Sequence, residues 1–462
     1  MPCTGHTILP GFIAPHLHLF AWASRYCGAN LSTAQSIPAI QHTLKARLAN
    51  LRHISSQEWL RGYGYDEFFL TEKRHPNRRD LDVVTTDHPI ILRHRTGHAA
   101  VLNSLALQQL GIDRNFAPPD GGNIERGSNG EATGVVYELG SFLRTVIPPL
   151  SSQEFQSGVR TVSNELLRQG ICAFHDASAG NALNDLERFS QLRANGTLRP
   201  HTTVMVGIDA FSQVLDAKCE PFSKHGQVRL GSIKIMLHES GGDLYPHPDD
   251  LAEMVWRVHQ HGFQVAIHAV EEAPVCAALE AIQQALLRLP RHDHRHRIEH
   301  CSLCPPPFLD TLAQTESVVV MQPGFLHFYG DKYAAEIDPD LHGWLYRAKS
   351  FQDRDIPVVG SSDCPIAPQA PLAAMQAAMT RQSQTGIFLN PSERLSLSKA
   401  IALFTSAGAW VGFEEHQAGR LAPDMRADLV VLDSDLTALP AESISSATVQ
   451  TTIIDGQVVF SA

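Results

Sequence analysis

GFIAPHLHL, residues 11–19, is a short apolar run that ends on two histidines. Seven runs of the same kind follow: ICAFHDA (171–177), TTVMVGI (202–208), SIKIMLH (232–238), QVAIHAV (264–270), HRIEHC (296–301), SVVVMQP (317–323) and PVVGSSD (357–363). They are rich in β-branched residues and continuous rather than alternating, the pattern of parallel strands buried on both faces. Between several of them lie stretches with helical spacing: DDLAEMVWRVHQHGF (249–263), PVCAALEAIQQALLRLP (274–290) and PFLDTLAQ (307–314). Eight strands alternating with helices predict an α/β chain folded as a (β/α)8 TIM barrel. A dinucleotide-binding sheet is the competing architecture, but no G-x-G-x-x-G follows any of these strands.

One gap breaks the spacing. The stretch 21–165 is too long for one crossover and too long for a structureless loop. It holds a strand candidate, HPIILRH (88–94), a helix candidate, AAVLNSLALQQLG (99–111), and a glycine-rich turn region at 118–134. It is expected to be a large insertion after the first strand, built over the top of the barrel. Near the C-terminus, AGRLAPDMRADLVVLD (418–433) and TVQTTIIDGQVVF (448–460) alternate, and Asp-Gly in the second is a hairpin signal. The expected divisions are therefore 1–10, an entry segment of a small β-sandwich domain; 11–412, the barrel with its insertion; and 413–462, the C-terminal β-sandwich strands.

Composition narrows the function. The chain has 462 residues, 43% of them hydrophobic, and a net charge of −11. An acidic chain with no basic block disfavours nucleic acid and anionic membrane surfaces as partners. No uncharged apolar stretch is long enough for a membrane span, and the first residues lack the basic-then-apolar pattern of a signal peptide. Eight cysteines in a chain this long are not a disulfide framework. These features predict a cytoplasmic protein with a small-molecule partner, and leave a homo-oligomer open. The outlier is histidine, with 24 copies, because neutral imidazole is the commonest metal ligand.

His16 and His18 close the first strand. Residues i and i+2 of a strand point to one side, so both imidazoles converge. Lys234 lies on the fourth strand, His268 ends the fifth, His300 the sixth and Asp363 follows the eighth. The C-terminal strand ends of a (β/α)8 barrel form its active-site mouth, so these side chains face a common centre. They are N and O donors suited to a divalent ion such as Zn2+. An ammonium cannot ligate, but a lysine carbamylated by CO2 (N6-carboxylated) offers two oxygens and can bridge two ions.

The segments ILPGFIAPHLHL, RRDLDVVTTDHPIILRHRTGHAAVLNSLAL, GGNIERGSNGEATGVVYE, GICAFHDAS, GSIKIML, VAIHAV, HRIEHC, VVGSSDCPI and GRLAPDMRADLVVLD span almost the whole chain. In order and strand placement the chain resembles the amidohydrolase superfamily, and its YtcJ-like (amidohydrolase-3) branch in particular. The resemblance implies one or two divalent metals, Zn2+ first among them. His16 and His18 would be ligands, Lys234 a carboxylated bridge, and His268 and His300 ligands of the second ion. Asp363 would bind metal and act as base toward a metal-activated hydroxide, while the metal or His268 polarises the carbonyl oxygen. The implied activity is hydrolysis of C–N bonds other than peptide bonds, in non-peptide amides, N-acyl amines or cyclic amides. The alternatives are a deaminase with one metal on the same barrel, and a degenerate barrel that binds a small ligand without turnover.

The sequence departs from the family pattern at three places. Position 14 is Ala where the first strand commonly reads D-x-H-x-H. The run after Lys234 is IMLHESGGDLYP where the branch often has Asp-Gly. Family members begin with short β-strands before the ILPG segment, which here lies about ten residues from Met1, so the β-sandwich is expected to lack its first strands. Further candidates are His175 with Asp176 at the end of the second strand, and Arg93 and His98, which the resemblance places near the mouth. Arg347 is a candidate for a substrate carboxylate. His238 and Glu239 are lesser candidates for the mouth. Glu271 and Glu272 are expected to serve a helix N-terminus. RHDHRHR (291–297) precedes the sixth strand and is expected to be a solvated loop. Cys301 and Cys304, a lone C-x-x-C, make a poor zinc site, and Cys364 is expected to be packing.

Overall fold

The computed structural model describes residues 5–50 and 58–462. Residues 1–4 of the expected entry segment lie outside this range. The chain divides into two compact units: the described residues up to Leu19 together with Val162–Ala462, and Phe20–Thr161.

The first unit is a barrel of eight parallel strands: β1 (Phe12–Leu17), β2 (Ile171–Asp176), β3 (His201–Gly207), β4 (Val228–Met236), β5 (Val265–Ala269), β6 (Arg297–His300), β7 (Val318–Met321) and β8 (Val358–Gly360). Each pairs with its neighbour in sequence order within the barrel. The ring is nearly closed between β1 and the residues after β8. His16 O accepts from Asp363 N at 3.1 Å, and His18 N donates to Cys364 O at 2.7 Å. The first and last strands thus set the positions of His16, His18 and Asp363 through backbone hydrogen bonds, helped by Ser361 Oγ, which accepts from His16 N at 2.9 Å.

The apolar runs predicted as strands are these eight, each buried on both faces because helices cover the outside. The three helical stretches are helices Pro248–Gln260, Glu272–Arg288 and Pro306–Gln314. The floor of the barrel is plugged by the helix Ser406–Val411. Its Val411 packs with Val318, Val320 and Val359, and its Ala409 with Ile13 and Ala173. Each fully buried valine contributes about 1.5–3 kcal/mol.

A four-stranded antiparallel sheet runs Thr7–Pro10, Leu429–Leu432, Val449–Ile454, Gln457–Ser461. Its hairpin is the Asp-Gly turn read from the sequence. Ile454 pairs with Gln457, and Asp455 (φ 51°) and Gly456 (φ 77°) are both left-handed, as a two-residue type I′ turn requires.

The Phe20–Thr161 unit has its own six-stranded sheet, in the order Ala29–Asn30, Leu60–Tyr65, Ile90–His94, Ala99–Leu102, Ala132–Tyr137, Asn123–Arg126. The helix expected over 99–111 is shorter. Ala99–Leu102 is a strand antiparallel to Ile91–Arg93, and the helix is Ser104–Gln109, started by Asn103, whose side chain accepts from Ala106 N at 3.0 Å. Two cores flank this sheet, one around Leu44, Leu70 and Leu92, the other around Leu102, Leu107 and Leu143. Among the described residues no helix is long and apolar enough to cross a membrane.

Candidate metal centre

The C-terminal ends of β1, β4, β5, β6 and β8 bring six sequence-selected side chains to one region of the barrel. His16 Nε2 lies 3.3 Å, and His18 Nε2 3.0 Å, from the same Asp363 Oδ1. That oxygen has no partner in hydrogen-bond geometry, although it is buried. Two imidazole nitrogens and a carboxylate oxygen all within 4.8 Å of one another form a metal-type donor set. His300 stands beside them, its ring centroid 5.1 Å from that of His16, and its Nε2 meets His268 Nδ1 at 2.9 Å. Lys234 Nζ is 1% exposed by residue and has no hydrogen-bond partner. An orphaned buried amine and an orphaned buried carboxylate oxygen are costly unless something between them completes the set.

The rings are aimed by their other nitrogens. His18 Nδ1 meets Ser178 Oγ at 3.0 Å, and His300 Nδ1 meets Gln322 Oε1 at 2.7 Å. His16 Nδ1 lies 2.5 Å from Glu299 Oε2. Such outer contacts fix the tautomer and orientation of a metal-binding histidine. Glu299 is in turn gripped by Arg297, whose Nε donates to Oε1 at 2.6 Å and Nη2 to Oε2 at 3.0 Å. Arg297 Nη2 also donates to Pro15 O at 2.9 Å, tying β6 to β1. Position 14 is alanine, and the carboxylate that orients His16 comes from β6. Neither Glu299 nor Arg297 was selected from the sequence. The signal was present in HRIEHC: a charged pair two residues apart in a doubly buried strand shares one face.

Electrostatics follow from this packing. Burial works to raise the carboxyl of Asp363, but the His16 and His18 imidazoles outweigh it and hold the group well below the usual carboxylate range. Burial likewise opposes ionisation of Glu299, and Arg297 and His16 overcome it, so its carboxylate stays charged. Burial lowers His300 to about 3 and Lys234 to about 8. Two of the site's backbone positions are left-handed without being glycine: His300 at φ 75° and Asp363 at φ 56°. Such conformations cost free energy and cluster at functional sites.

The other candidates are held by contacts of their own. His175 was expected at the mouth, but it is fully buried and faces the floor. Its Nδ1 is 3.4 Å from Arg297 Nη1, and a Cβ on Gly412 of the plug would stand 2.8 Å from its Cε1. Asp176 is structural: it accepts from Leu19 N (2.7 Å), Ser178 N (3.1 Å) and Asn181 Nδ2 (2.8 Å). Arg347 donates to Cys304 O at 3.1 Å, and its Nε is 3.8 Å from Glu393. Arg93 and His98 belong to the Phe20–Thr161 unit, where Arg93 is in the strand Ile90–His94 and His98 Nδ1 meets Glu138 Oε1 at 2.8 Å. Glu271 and Glu272 start the helix Glu272–Arg288.

The segment after β4 is a hairpin, His238–Ser240 with Asp243–Tyr245, turned by Gly241 and Gly242, both left-handed. Glu239 of this hairpin, Glu271, Glu272, Leu244, Phe308 and Trp344 help to line a cavity of about 680 Å3 on the strand-end side of β4–β6.

The 291–297 run is solvated only at its start, where His292 and Asp293 are exposed. His294, Arg295, His296 and Arg297 are buried. His294 Nε2 meets Thr315 O at 2.9 Å, His296 Nε2 meets His259 Nδ1 at 2.8 Å, and Arg295 pairs with Glu415 at 2.8 Å over the ring of Phe413. Backbone carbonyls and the floor segment supply partners from distant parts of the chain. Cys301, Cys304 and Cys364 are buried thiols.

Comparison with known proteins agrees with this architecture. The model of the amidohydrolase family matches residues 3–460. The chain is 27% identical over 482 aligned residues to the amidohydrolase YtcJ of Bacillus subtilis (strain 168), covering 99% of this chain and 89% of that one. It is 24% identical to the N-substituted formamide deformylase of Arthrobacter pascens, covering 98% and 88%. Among solved structures, an uncharacterized metal-dependent hydrolase from Pyrococcus horikoshii OT3 superposes with a TM-score of 0.74 at 21% identity, over 95% of this chain and 88% of that chain.

Proposed function

The chain belongs to the amidohydrolase family and is a hydrolase of carbon–nitrogen bonds; on that premise we propose that it cleaves non-peptide amides at the barrel centre with Asp363 as the proton acceptor. The observation that carries this reading is the convergence of His16 Nε2 and His18 Nε2 on one unpartnered buried oxygen of Asp363. These residues, with His268, His300 and Lys234, fit a divalent ion, Zn2+ or a similar borderline metal, by donor chemistry and by the orphaned atoms they present. When bound, such an ion supplies Lewis acidity and a water acidic enough to deprotonate near neutral pH.

The protein's own groups do the rest. Asp363, held deprotonated, accepts the proton of the attacking water and returns it to the leaving nitrogen. Glu299 holds the proton on His16 Nδ1, which leaves Nε2 as a lone-pair donor. His268, half-buried beside His300, is the proposed group that polarises the carbonyl oxygen. Lys234, orphaned beneath them, is the residue for carboxylation and for a second ion. The acidic rim of the cavity beside β4–β6 disfavours anionic substrates, and Leu244, Phe308 and Trp344 favour an apolar group. An N-formyl or N-acyl derivative of an apolar amine is the substrate class these features support best.

The test is a panel of N-formyl amines, N-acyl amines and cyclic amides, with amine release measured on chelator-stripped protein before and after Zn2+ is restored. Zn2+-dependent release from the neutral apolar members is expected. Release that is indifferent to chelation would overturn the reading.

A further inference from the structure

A second set of metal-type donors lies in the Phe20–Thr161 unit, built from residues the barrel does not use. The parallel strands Leu60–Tyr65 and Ile90–His94 pair Tyr65 with His94, so their C-terminal ends deliver Asp66, Glu67 and His94 to one edge. His94 Nε2 lies 2.9 Å from Glu67 Oε2 and 3.7 Å from Asp66 Oδ1. The His94 side chain is only 6% exposed, and its Nε2 finds no partner in hydrogen-bond geometry. Its other nitrogen, Nδ1, is 2.8 Å from Thr96 Oγ1 and 3.2 Å from Thr96 N, which fixes the ring with Nε2 toward the carboxylates. The barrel centre uses the same device: His18 is held at Nδ1 by Ser178 and presents Nε2 to Asp363.

The carboxylates are fixed too. Asp66 Oδ2 accepts from Arg95 Nε at 2.8 Å, and Oδ1 from Phe68 N at 3.0 Å. His75 stands beside the set, its Nδ1 3.5 Å from Glu67 Oε2 and 3.0 Å from Tyr65 Oη. The site therefore gathers two carboxylates around one buried imidazole nitrogen that makes no well-formed hydrogen bond.

The geometry points to a divalent-metal site on Asp66, Glu67 and His94. One imidazole nitrogen and two carboxylates suit a borderline or hard first-row ion, Zn2+ or Mn2+. Glu67 and His75 line a cavity of about 590 Å3, which gives the ion an entry path. An ion here joins the ends of two strands to the loop that follows the first of them. Its role is to brace this unit.

The test uses the full chain and two probes, Zn2+ and Mn2+. The variant His16→Ala/His18→Ala removes two donors of the barrel set. After loading and gel filtration, metal is counted by mass spectrometry. This double variant is expected to keep at least one ion per chain, and Glu67→Gln or His94→Gln added to it is expected to lower its count by one. Circular dichroism checks that each variant is folded; Glu67, partly exposed, is the substitution least able to disturb folding. The proposal is overturned if the double variant keeps no ion, or if its ion count is unchanged by both Glu67→Gln and His94→Gln. The difference between wild type and the double variant reports on the barrel separately, so failure of one site does not mask the other.

Discussion

Replacing Glu299 by Gln keeps the side chain's size and removes its charge. In the native protein its two oxygens accept three hydrogen bonds: Arg297 Nε at 2.6 Å, Arg297 Nη2 at 3.0 Å and His16 Nδ1 at 2.5 Å. A glutamine has one acceptor oxygen, so its amide N–H must face a guanidinium or imidazole N–H. Both Glu299 and Arg297 have side chains that are 0% exposed, so the guanidinium is left buried without a counter-charge. Breaking a buried pair this way costs about 3–5 kcal/mol. Losing the group that orients a histidine ligand costs about 10–100-fold in metal affinity, or about 1.4–2.7 kcal/mol. The two effects separate in the double variant Arg297→Met/Glu299→Gln. It is expected to regain much of the stability but none of the affinity. Denaturant unfolding reads the first quantity, and competition with a fluorescent chelator reads the second. A folded Glu299→Gln protein that binds Zn2+ as tightly as wild type would refute the orienting role.

Other expectations are as direct. Lys234→Gln should hold fewer ions per chain than wild type while keeping at least one in the barrel, measured by metal analysis; unchanged stoichiometry would exclude a bridging lysine. His294 is lowered to about 4 by burial, from an ordinary value of about 6.5. The unfolded chain thus binds a proton that the folded one refuses, so stability falls as pH drops from about 6.5 to about 4, by about 3 kcal/mol in full. His294→Gln should flatten that part of the melting-temperature profile, and an unaltered slope would contradict it. Gly456→Ala in the Asp-Gly hairpin meets nothing closer than Ala427 Cβ at 3.8 Å, so its expected cost is the left-handed strain alone, about 1–2 kcal/mol. A neutral effect in thermal unfolding would contradict the turn type.

Most of the barrel was legible because its signals are local. Continuous β-branched runs alternating with helical stretches point to a parallel sheet buried on both faces, and His16, His18, His268 and Asp363 sit where those runs stop. What escaped depends on partners distant in sequence. His294, Arg295 and His296 look like solvent-facing residues until Thr315, the 410–415 segment and His259, respectively, close over them. His175 is one residue from the end of its strand, yet the register turns it to the floor and gives the terminal position to Asp176, whose oxygens cap the backbone of the next turn. The stretch 99–111 carried two periods: AAVL reads equally as helix or strand, and Asn103 marked the boundary as a helix cap. Glu299 was visible as a charge in a buried strand. Only the fold showed that it faces His16, across the barrel from the alanine at position 14.

The central claim is that a divalent ion is held between His16, His18 and Asp363. Its most direct test is metal content per chain in Asp363→Asn beside wild type, both loaded with Zn2+ and freed of excess. Wild type is expected to hold more zinc than the variant by at least one ion per chain, with both proteins folded. Equal zinc in the two proteins would contradict the account.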